Sequence, residues 1–204
     1  NRSVSNRMEK KILPHSATEM EWILASVSPR RKELLAGLGV PFRVCASHAE
    51  ERADGPWMMT ALENACAKAE EVAGRFPEAL VIGADTVIEF ENEILGKPRD
   101  LAEAEKILEK LAGKTHRVTT GCAIRCCAGN IRIRFAETSA VTFRPFGRET
   151  IREYLSNVPV LDKAGAYAIQ DHGEMIIERY EGELENIIGL PVARLAETVK
   201  LLFS

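Results

Sequence analysis

The segment with sequence SVSPRR, residues 26–31, combines a helix start with two cations. Ser28 is a typical N-cap residue, and Pro29 suits the first helical position, where no backbone N–H is needed. Arginine is unfavourable at this end of a helix, because the helix dipole is positive there. Free N–H groups, two serine hydroxyls and two guanidinium groups together favour a phosphate-binding site. The alternative is a helix start whose arginines only point into solvent.

Acidic residues follow two predicted strands. Asp85 comes directly after the apolar run ALVIGA, residues 79–84, where a carboxylate is costly unless it has a partner or a function. Because α/β proteins bind ligands at the carboxyl ends of strands, we expect Asp85 to bind a divalent cation or to act as a general base toward water. The alternative is an ordinary aspartate in a turn. Glu50 and Glu51 are weaker candidates for metal ligands, since glutamates in surface loops are usually only solvated.

Lysines and a glutamine complete the set of candidate residues. Lys97 lies in the sequence Gly-Lys-Pro, whose rigid turn would present its ammonium group to a second phosphate. Lys163 precedes a run of small residues, and Gln170 offers the donor and the acceptor that suit the edge of a base. Lys68 lies on the polar flank of a predicted helix, where a surface lysine is the default. The cations and carboxylates together favour metal-assisted hydrolysis of a polyphosphate.

Composition excludes several classes of protein. The net charge of −3 is unlike that of a polyanion-binding protein, so we expect no nucleic-acid partner. No apolar segment approaches the roughly 20 residues of a membrane helix, and no secretion signal is recognisable. The 5 cysteines are odd in number and lack paired CxxC spacing, so they predict neither a zinc site nor a disulfide framework. We expect a cytoplasmic protein.

The apolar pattern alternates between strand and helix periods from residue 21 onward. It predicts strands at 22–26, 41–46, 79–85 and 174–180, a hairpin over 86–95 turning near Asn92, and a longer hairpin within 115–144 turning at 128–130. It predicts helices at 30–38, 60–74, from Asp100 to Gly113, at 148–156 and from Pro191. This is an α/β fold with a mixed twisted sheet flanked by helices. The long hairpin is too polar on one side for the centre of a parallel sheet, so we expect two lobes with an active-site cleft between them.

Residues 1–20 show no useful periodicity and are expected to form a loose N-terminal extension. With a length of 204 residues, the remainder, 21–204, suits a single domain with a sizeable core.

Five segments, ASVSPRRKELL, VIGADTV, LGKPRD, DKAGAYAIQ and IIGLP, occur in this order. Together they resemble the Maf (Maf/Ham1-like) family of nucleotide pyrophosphatases, and the resemblance runs from about Trp22 to Leu202. It implies cleavage of a nucleoside triphosphate between the α and β phosphates, which gives the monophosphate and pyrophosphate. It also implies a divalent metal ion, Mg²⁺ or Mn²⁺, a homodimer and a housekeeping role in the nucleotide pool.

The resemblance implies a role for each residue that matches a family motif. Asp85 is implied as the proton acceptor, and Glu51 with Asp85 as the metal ligands. The residues implied in phosphate binding are Ser26, Ser28, Arg31, Lys68, Lys97 and Lys163. Arg30, Thr86 and Gln170 stand where the family varies with its substrate, and this combination resembles the branch that prefers dTTP and UTP.

Two alternatives remain. The sister branch of 7-methyl-GTP pyrophosphatases has Trp, Gln and Glu at the three variable positions. A non-catalytic nucleotide sensor affecting septum formation would have no need of Asp85. The chain also departs from the family pattern beside Gln170, because Ala168 replaces the usual glycine and Asp171-His172 replaces the glycine that normally follows Gln170.

Overall fold

The computed structural model describes residues 13–204, which form one mixed seven-stranded sheet flanked by helices. The strands are β1 Trp22–Leu24, β2 Phe42–Val44, β3 Leu80–Phe90, β4 Glu93–Leu95, β5 Thr115–Cys126, β6 Ile131–Phe143 and β7 Ile177–Glu181. The helices are α1 His15–Thr18, α2 Pro29–Ala36, α3 Trp57–Arg75, α4 Leu101–Leu111, α5 Arg148–Asn157, α6 Leu184–Ile188 and α7 Val192–Leu202. The predicted α/β class with a mixed sheet is confirmed. No helix within residues 13–204 has both the length and the apolar character of a membrane span.

The sheet opens beside the middle of β3. Its strand order is β2-β1-β3-β5-β6-β7, and β4 also pairs with β3. The short strand β1 runs parallel to the first part of β3 and ends opposite Ile82, whereas β4 runs antiparallel and begins its pairing at Ile88. Both lie on the edge of β3 that faces away from β5, so the stretch around Asp85 has no strand neighbour there among the described residues. The candidate site described below lies at this gap in the sheet.

The two lobes share the three longest strands, β3, β5 and β6, of 11, 12 and 13 residues. At one end, α2 and α7 pack on one face of the sheet around Trp22 and Leu195, and α3 packs on the other face around Val81. At the opposite end, α4 and α5 pack around Leu108 and Tyr154. In each lobe the helices bury apolar side chains against the sheet. This burial is the main force that holds the helices on the common sheet.

Helix α3 lies very close to the sheet because two neighbouring strands carry glycine beneath it. A Cβ atom on Gly83 would lie 2.3 Å from the carbonyl oxygen of Ala65, and one on Gly121 would lie 2.3 Å from that of Ala61. The helix face that meets them is built from alanines, which keep the backbones close. This close approach carries the polar side of α3 to the gap beside β3.

Several predicted boundaries are corrected by the structure. Helix α3 begins at Trp57 rather than residue 60, and β7 begins at Ile177 because residues 173–175 form a 3₁₀ turn. Helix α6 was missed, since five residues are too few for a helical period to be visible. The hairpin predicted at 86–95 does turn near Asn92, with Glu91 and Asn92 in the left-handed region at φ values of 53° and 67°. Its first arm is continuous with the strand predicted at 79–85, so Asp85 lies within β3 rather than at the end of a strand. The long hairpin is β5 and β6, but β5 lies in the middle of the sheet, buried on both faces.

Part of the predicted N-terminal extension packs on the core. Residues 1–12 lie outside the described residues. Within 13–20, the side chains of Leu13 and Ala17 are buried, and the Trp22 indole Nε1 donates a hydrogen bond of 2.8 Å to the carbonyl oxygen of Ala17. The expectation of a loose segment is therefore wrong for these residues, because their few apolar groups cover one end of the core.

Candidate active site

A cleft of about 340 Å³ lies between the lobes, at the gap beside the middle of β3. Ten of the twelve candidate residues named from the sequence line it: Ser28, Arg30, Arg31, Glu51, Lys68, Asp85, Thr86, Lys97, Lys163 and Gln170. Ser26 is buried and does not line the cleft. Its hydroxyl accepts hydrogen bonds of 3.3 Å from the Ser28 backbone N–H and from Arg31 Nη1. Glu50 is exposed and lies outside the lining.

The acidic centre of the cleft is built around Lys68. Its Nζ lies 2.8 Å from Asp85 Oδ1 and 2.7 Å from Glu51 Oε1. Lys68 and Asp85 are each 11% exposed, so the lysine is not the surface residue that its position on the helix suggested. A buried carboxylate is costly without a partner, and Lys68 supplies one to Asp85. The hydrogen bond from Lys68 lowers the pKa of Glu51, and the nearby charge of Lys97 lowers that pKa further.

Asn64 is a site residue that the sequence analysis missed. It lies one helical turn before Lys68 on α3, and its Nδ2 donates a hydrogen bond of 2.9 Å to Asp85 Oδ2. Each oxygen of Asp85 therefore has a donor from α3. The signal that could have found Asn64 is its spacing of four residues from Lys68, which places both side chains on one face of the helix.

Arg31 is held in the cleft wall by protein acceptors. Its Nε donates to the carbonyl oxygen of Gly189 at 2.8 Å, and its Nη2 donates to Thr86 Oγ1 at 3.0 Å. With the bond to Ser26, three of its five N–H groups are used, and two remain for a ligand. Burial lowers the pKa of Arg31, and the negative charges of Asp85 and Glu51 oppose that shift.

The first turn of α2 has the predicted cap. Ser28 Oγ accepts the backbone N–H of Arg31 at 3.5 Å, and Pro29 occupies the first helical position. Thr86 lies on the opposite face of β3 from Asp85, where its hydroxyl also pairs with that of Thr120 at 2.9 Å. The direct partner of Thr86 in the cleft wall is thus Arg31.

The opposite wall is formed by the segment 161–171 and the loop after β4. Lys163 is 5% exposed, and its Nζ donates to the carbonyl oxygen of Pro159 at 2.5 Å and to Asp162 Oδ1 at 2.9 Å. Lys97 and Gln170 are exposed at the rim. The Gly165 backbone N–H donates to the carbonyl oxygen of Gly96 at 3.1 Å, which joins the two parts of this wall.

Two buried aromatic hydroxyls hold the segment 161–171 from behind. Tyr167 OH and His116 Nε2 are hydrogen-bonded at 2.7 Å, and Tyr154 OH accepts the backbone N–H of Ala168 at 3.2 Å. Burial lowers the pKa of His116 to about 4, so the ring is neutral at pH 7. The backbone of Ala168, one of the departures from the family pattern, is therefore held in place by its hydrogen bond to Tyr154.

The geometry defines a two-lobed α/β protein whose cleft carries arginine and lysine side chains beside a pair of carboxylates. Two carboxylates alone supply too few ligands to hold a metal ion permanently. The described residues contain no group of three or more His, Cys, Asp or Glu side chains arranged to hold one. An ion bound here would complete its coordination with oxygens of the ligand.

Comparisons with known proteins identify the family. Residues 21–202 match the family model described as Maf-like protein, and the chain belongs to this family, which confirms the resemblance seen in the sequence. A dTTP/UTP pyrophosphatase of Akkermansia muciniphila is 48% identical over 172 residues, which are 83% of this chain and 90% of that protein. A dTTP/UTP pyrophosphatase of Bacillus cytotoxicus is 42% identical over 183 residues, 88% of this chain and 94% of that protein.

A solved structure supports the fold. The Staphylococcus aureus Ham1 protein superposes with a TM-score of 0.51 at 18% sequence identity, covering 89% of this chain and 99% of that one. The two chains share the mixed sheet with helices on both faces.

Proposed function

We propose that this chain is a nucleoside triphosphate pyrophosphatase that hydrolyses dTTP and UTP to the monophosphate and pyrophosphate. The observation that carries the proposal is the Asp85–Lys68–Glu51 cluster, which places two carboxylates in a cleft that is also lined by Arg30, Arg31, Lys97 and Lys163. The similarity to proteins named dTTP/UTP pyrophosphatase supports the choice of substrate. The proposed setting is the cytoplasmic nucleotide pool, which suits the five free cysteines of the described residues. The homodimer implied by the family stays a prediction.

Glu51 and Asp85 are the residues that would hold a divalent metal ion. Mg²⁺ is commonly bound by one or two carboxylates together with substrate phosphates, and the two carboxylates that meet at Lys68 Nζ fit this donor set. When bound, the ion would offset the negative charge of the triphosphate. Glu51 lines the cleft and is half exposed, so its carboxylate can move toward an ion while Lys68 keeps its bond to Asp85.

Asp85 is the proposed general base. Its Oδ1 and Oδ2 each accept one hydrogen bond from α3, and a carboxylate has further lone pairs that can accept a proton from water. The same two bonds fix the carboxylate plane, so that the attacking water is oriented before the reaction.

The cations of both walls bind the triphosphate. Arg31 offers its two remaining N–H groups, and the first turn of α2 adds backbone donors and the Ser28 hydroxyl. Lys97 and Lys163 lie on the facing wall, so the phosphates are held from two sides. Gln170 at the rim would contact the base, and Arg30 and Thr86 would contribute to base preference, Thr86 by way of Arg31.

The test is a substrate panel with identified products. We expect pyrophosphate and the monophosphate from dTTP and UTP in the presence of Mg²⁺, with less product from GTP and 7-methyl-GTP. Orthophosphate as the product contradicts the proposed reaction, and a preference for 7-methyl-GTP assigns the chain to the sister branch. Tight binding of dTTP without turnover supports the nucleotide sensor instead.

Substitution of Asp85 tests the mechanism. Asp85→Asn keeps the size of the side chain but removes its basicity and one of the two oxygens that accept bonds from Lys68 and Asn64, so kcat should fall about 10²-fold or more while the fold is retained. Glu50→Gln is the matched control, because Glu50 is an exposed acid one residue from Glu51 and outside the cleft lining. Full activity of Asp85→Asn would show that another group accepts the proton.

A further inference from the structure

The side chain of Asn64 connects Asp85 to the backbone of a neighbouring loop. Its Nδ2 donates to Asp85 Oδ2 at 2.9 Å and to the carbonyl oxygen of Arg52 at 2.8 Å. Its Oδ1 accepts the backbone N–H of Arg52 at 2.8 Å. Asn64 is 3% exposed, and both ends of its amide are used. A buried amide with this set of partners is strongly restricted in position.

The loop held in this way contains Glu51. Residues 45–56 form no helix or strand, so the order of this loop depends on side-chain contacts. Lys68 contacts the Glu51 side chain, and Asn64 binds both backbone groups of the next residue, Arg52. One turn of α3 therefore sets the position of Asp85 and of the Glu51 loop together.

The neutral amide of Asn64 also leaves the net charge of the Asp85–Lys68–Glu51 cluster unchanged. Asp85, Glu51 and Lys68 together carry one net negative charge, and the guanidinium of Arg31 also interacts with both carboxylates. A second cation at position 64 would cancel that charge, and an aspartate would lose the N–H donors and repel Asp85. Asparagine supplies donors and an acceptor without changing the charge.

We propose that Asn64 is a positioning residue that holds Glu51 in register with Asp85 before the metal ion and the nucleotide bind. The structural part of this inference stands on the hydrogen bonds alone. Its consequence for catalysis rests on the proposed function, in which Glu51 and Asp85 act as a pair.

The test compares Asn64→Leu with Thr60→Val in the full-length chain. Leucine has the same number of side-chain heavy atoms and the same branch point, but it removes every hydrogen bond of the amide. Thr60 Oγ1 donates to the carbonyl oxygen of Asp54 at 2.8 Å, so its replacement loosens the same loop without touching Asp85 or Arg52. Asn64→Ser, which is smaller and polar, is the second variant if the leucine variant does not fold.

The first measurement is independent of activity. Without metal or nucleotide, we expect the Arg52 amide to exchange its hydrogen about tenfold faster in Asn64→Leu, because a buried bond to that amide is lost. In Thr60→Val the exchange of Arg52 should stay near the wild-type rate. Unchanged protection of Arg52 in both Asn64 variants overturns the inference.

The second measurement concerns the paired carboxylates. Calorimetric titration with Mn²⁺ alone should show about tenfold weaker binding in Asn64→Leu, and kcat for dTTP should fall at least tenfold with KM changed less than threefold. Wild-type Mn²⁺ affinity and kcat in a variant whose Arg52 amide is deprotected would overturn the positioning role. Absence of pyrophosphate release by the wild type contradicts the proposed function only, since exchange and Mn²⁺ binding still test Asn64.

Discussion

Gly83 allows α3 to lie very close to β3, the strand that also carries Asp85. Gly83→Ala should therefore push the helix away from this strand. The added Cβ would lie 2.3 Å from the Ala65 carbonyl oxygen and 2.8 Å from the Ala69 Cβ. Since ordinary contacts begin near 3.4 Å, the helix must move by about 1 Å. Overpacking of this kind costs about 1–3 kcal/mol of the free energy of unfolding.

The same displacement reaches the active site, because Lys68 and Asn64 lie on this helix. Their hydrogen bonds to Asp85 are 2.8 and 2.9 Å long, and a shift of about 1 Å in catalytic groups costs about 10²-fold in rate. We therefore expect Gly83→Ala to lower both the free energy of unfolding and kcat for dTTP.

The assay combines urea unfolding with measurement of pyrophosphate release. Gly74→Ala is the matched control, since Gly74 lies on the same helix and a Cβ there meets nothing within 4 Å. Alanine at this position should stabilise the chain by up to about 1 kcal/mol through helix propensity and leave kcat unchanged. Wild-type stability and kcat in Gly83→Ala would refute the argument that the close approach of α3 is required.

Two further predictions concern a buried histidine and the two arginines of α2. The pKa of His116 is about 4 when folded and 6.5 when unfolded, so the unfolded chain binds a proton first and stability should fall by about 3 kcal/mol as the pH drops from 7 to 4. Urea unfolding of His116→Gln should show a smaller loss over this range, with the exposed His48→Gln as the control; an equal loss in all three proteins contradicts the assignment. Arg31→Ala should weaken turnover of all triphosphates alike, whereas Arg30→Trp should change their ranking; equal scaling in both variants in the substrate panel contradicts this division.

The sequence was most informative where chemistry and local structure depend on neighbouring residues. The cap formed by Ser28 and Pro29 and the turn at Asn92 were both predicted, and each depends on contacts within a few residues. The starts of β7 and α3 were less well predicted, because contacts outside each element decide where a strand or helix begins.

The burial of Lys68 and the role of Asn64 lay beyond a sequence analysis. Helical periodicity places Lys68 on a polar flank, but its partner Asp85 is 17 residues away on another element. Asn64 shows no charge or motif of its own, and its function depends on a backbone, that of Arg52, whose position no local pattern specifies. Residues 13–20 were likewise misjudged, because their two buried apolar side chains form no period.

The sequence by itself therefore determined the family, the types of residue that reach the cleft and most of the elements that carry them. Only the tertiary structure decided which groups are paired: Lys68 with two carboxylates, Arg31 with Gly189 and Thr86, and the buried Ser26 with Arg31 rather than with the cleft. The physical reason is that charge and hydrogen-bonding capacity are properties of single residues. Their pairing depends on distances between separate elements, which the glycines beneath α3 and the gap between β1 and β4 establish.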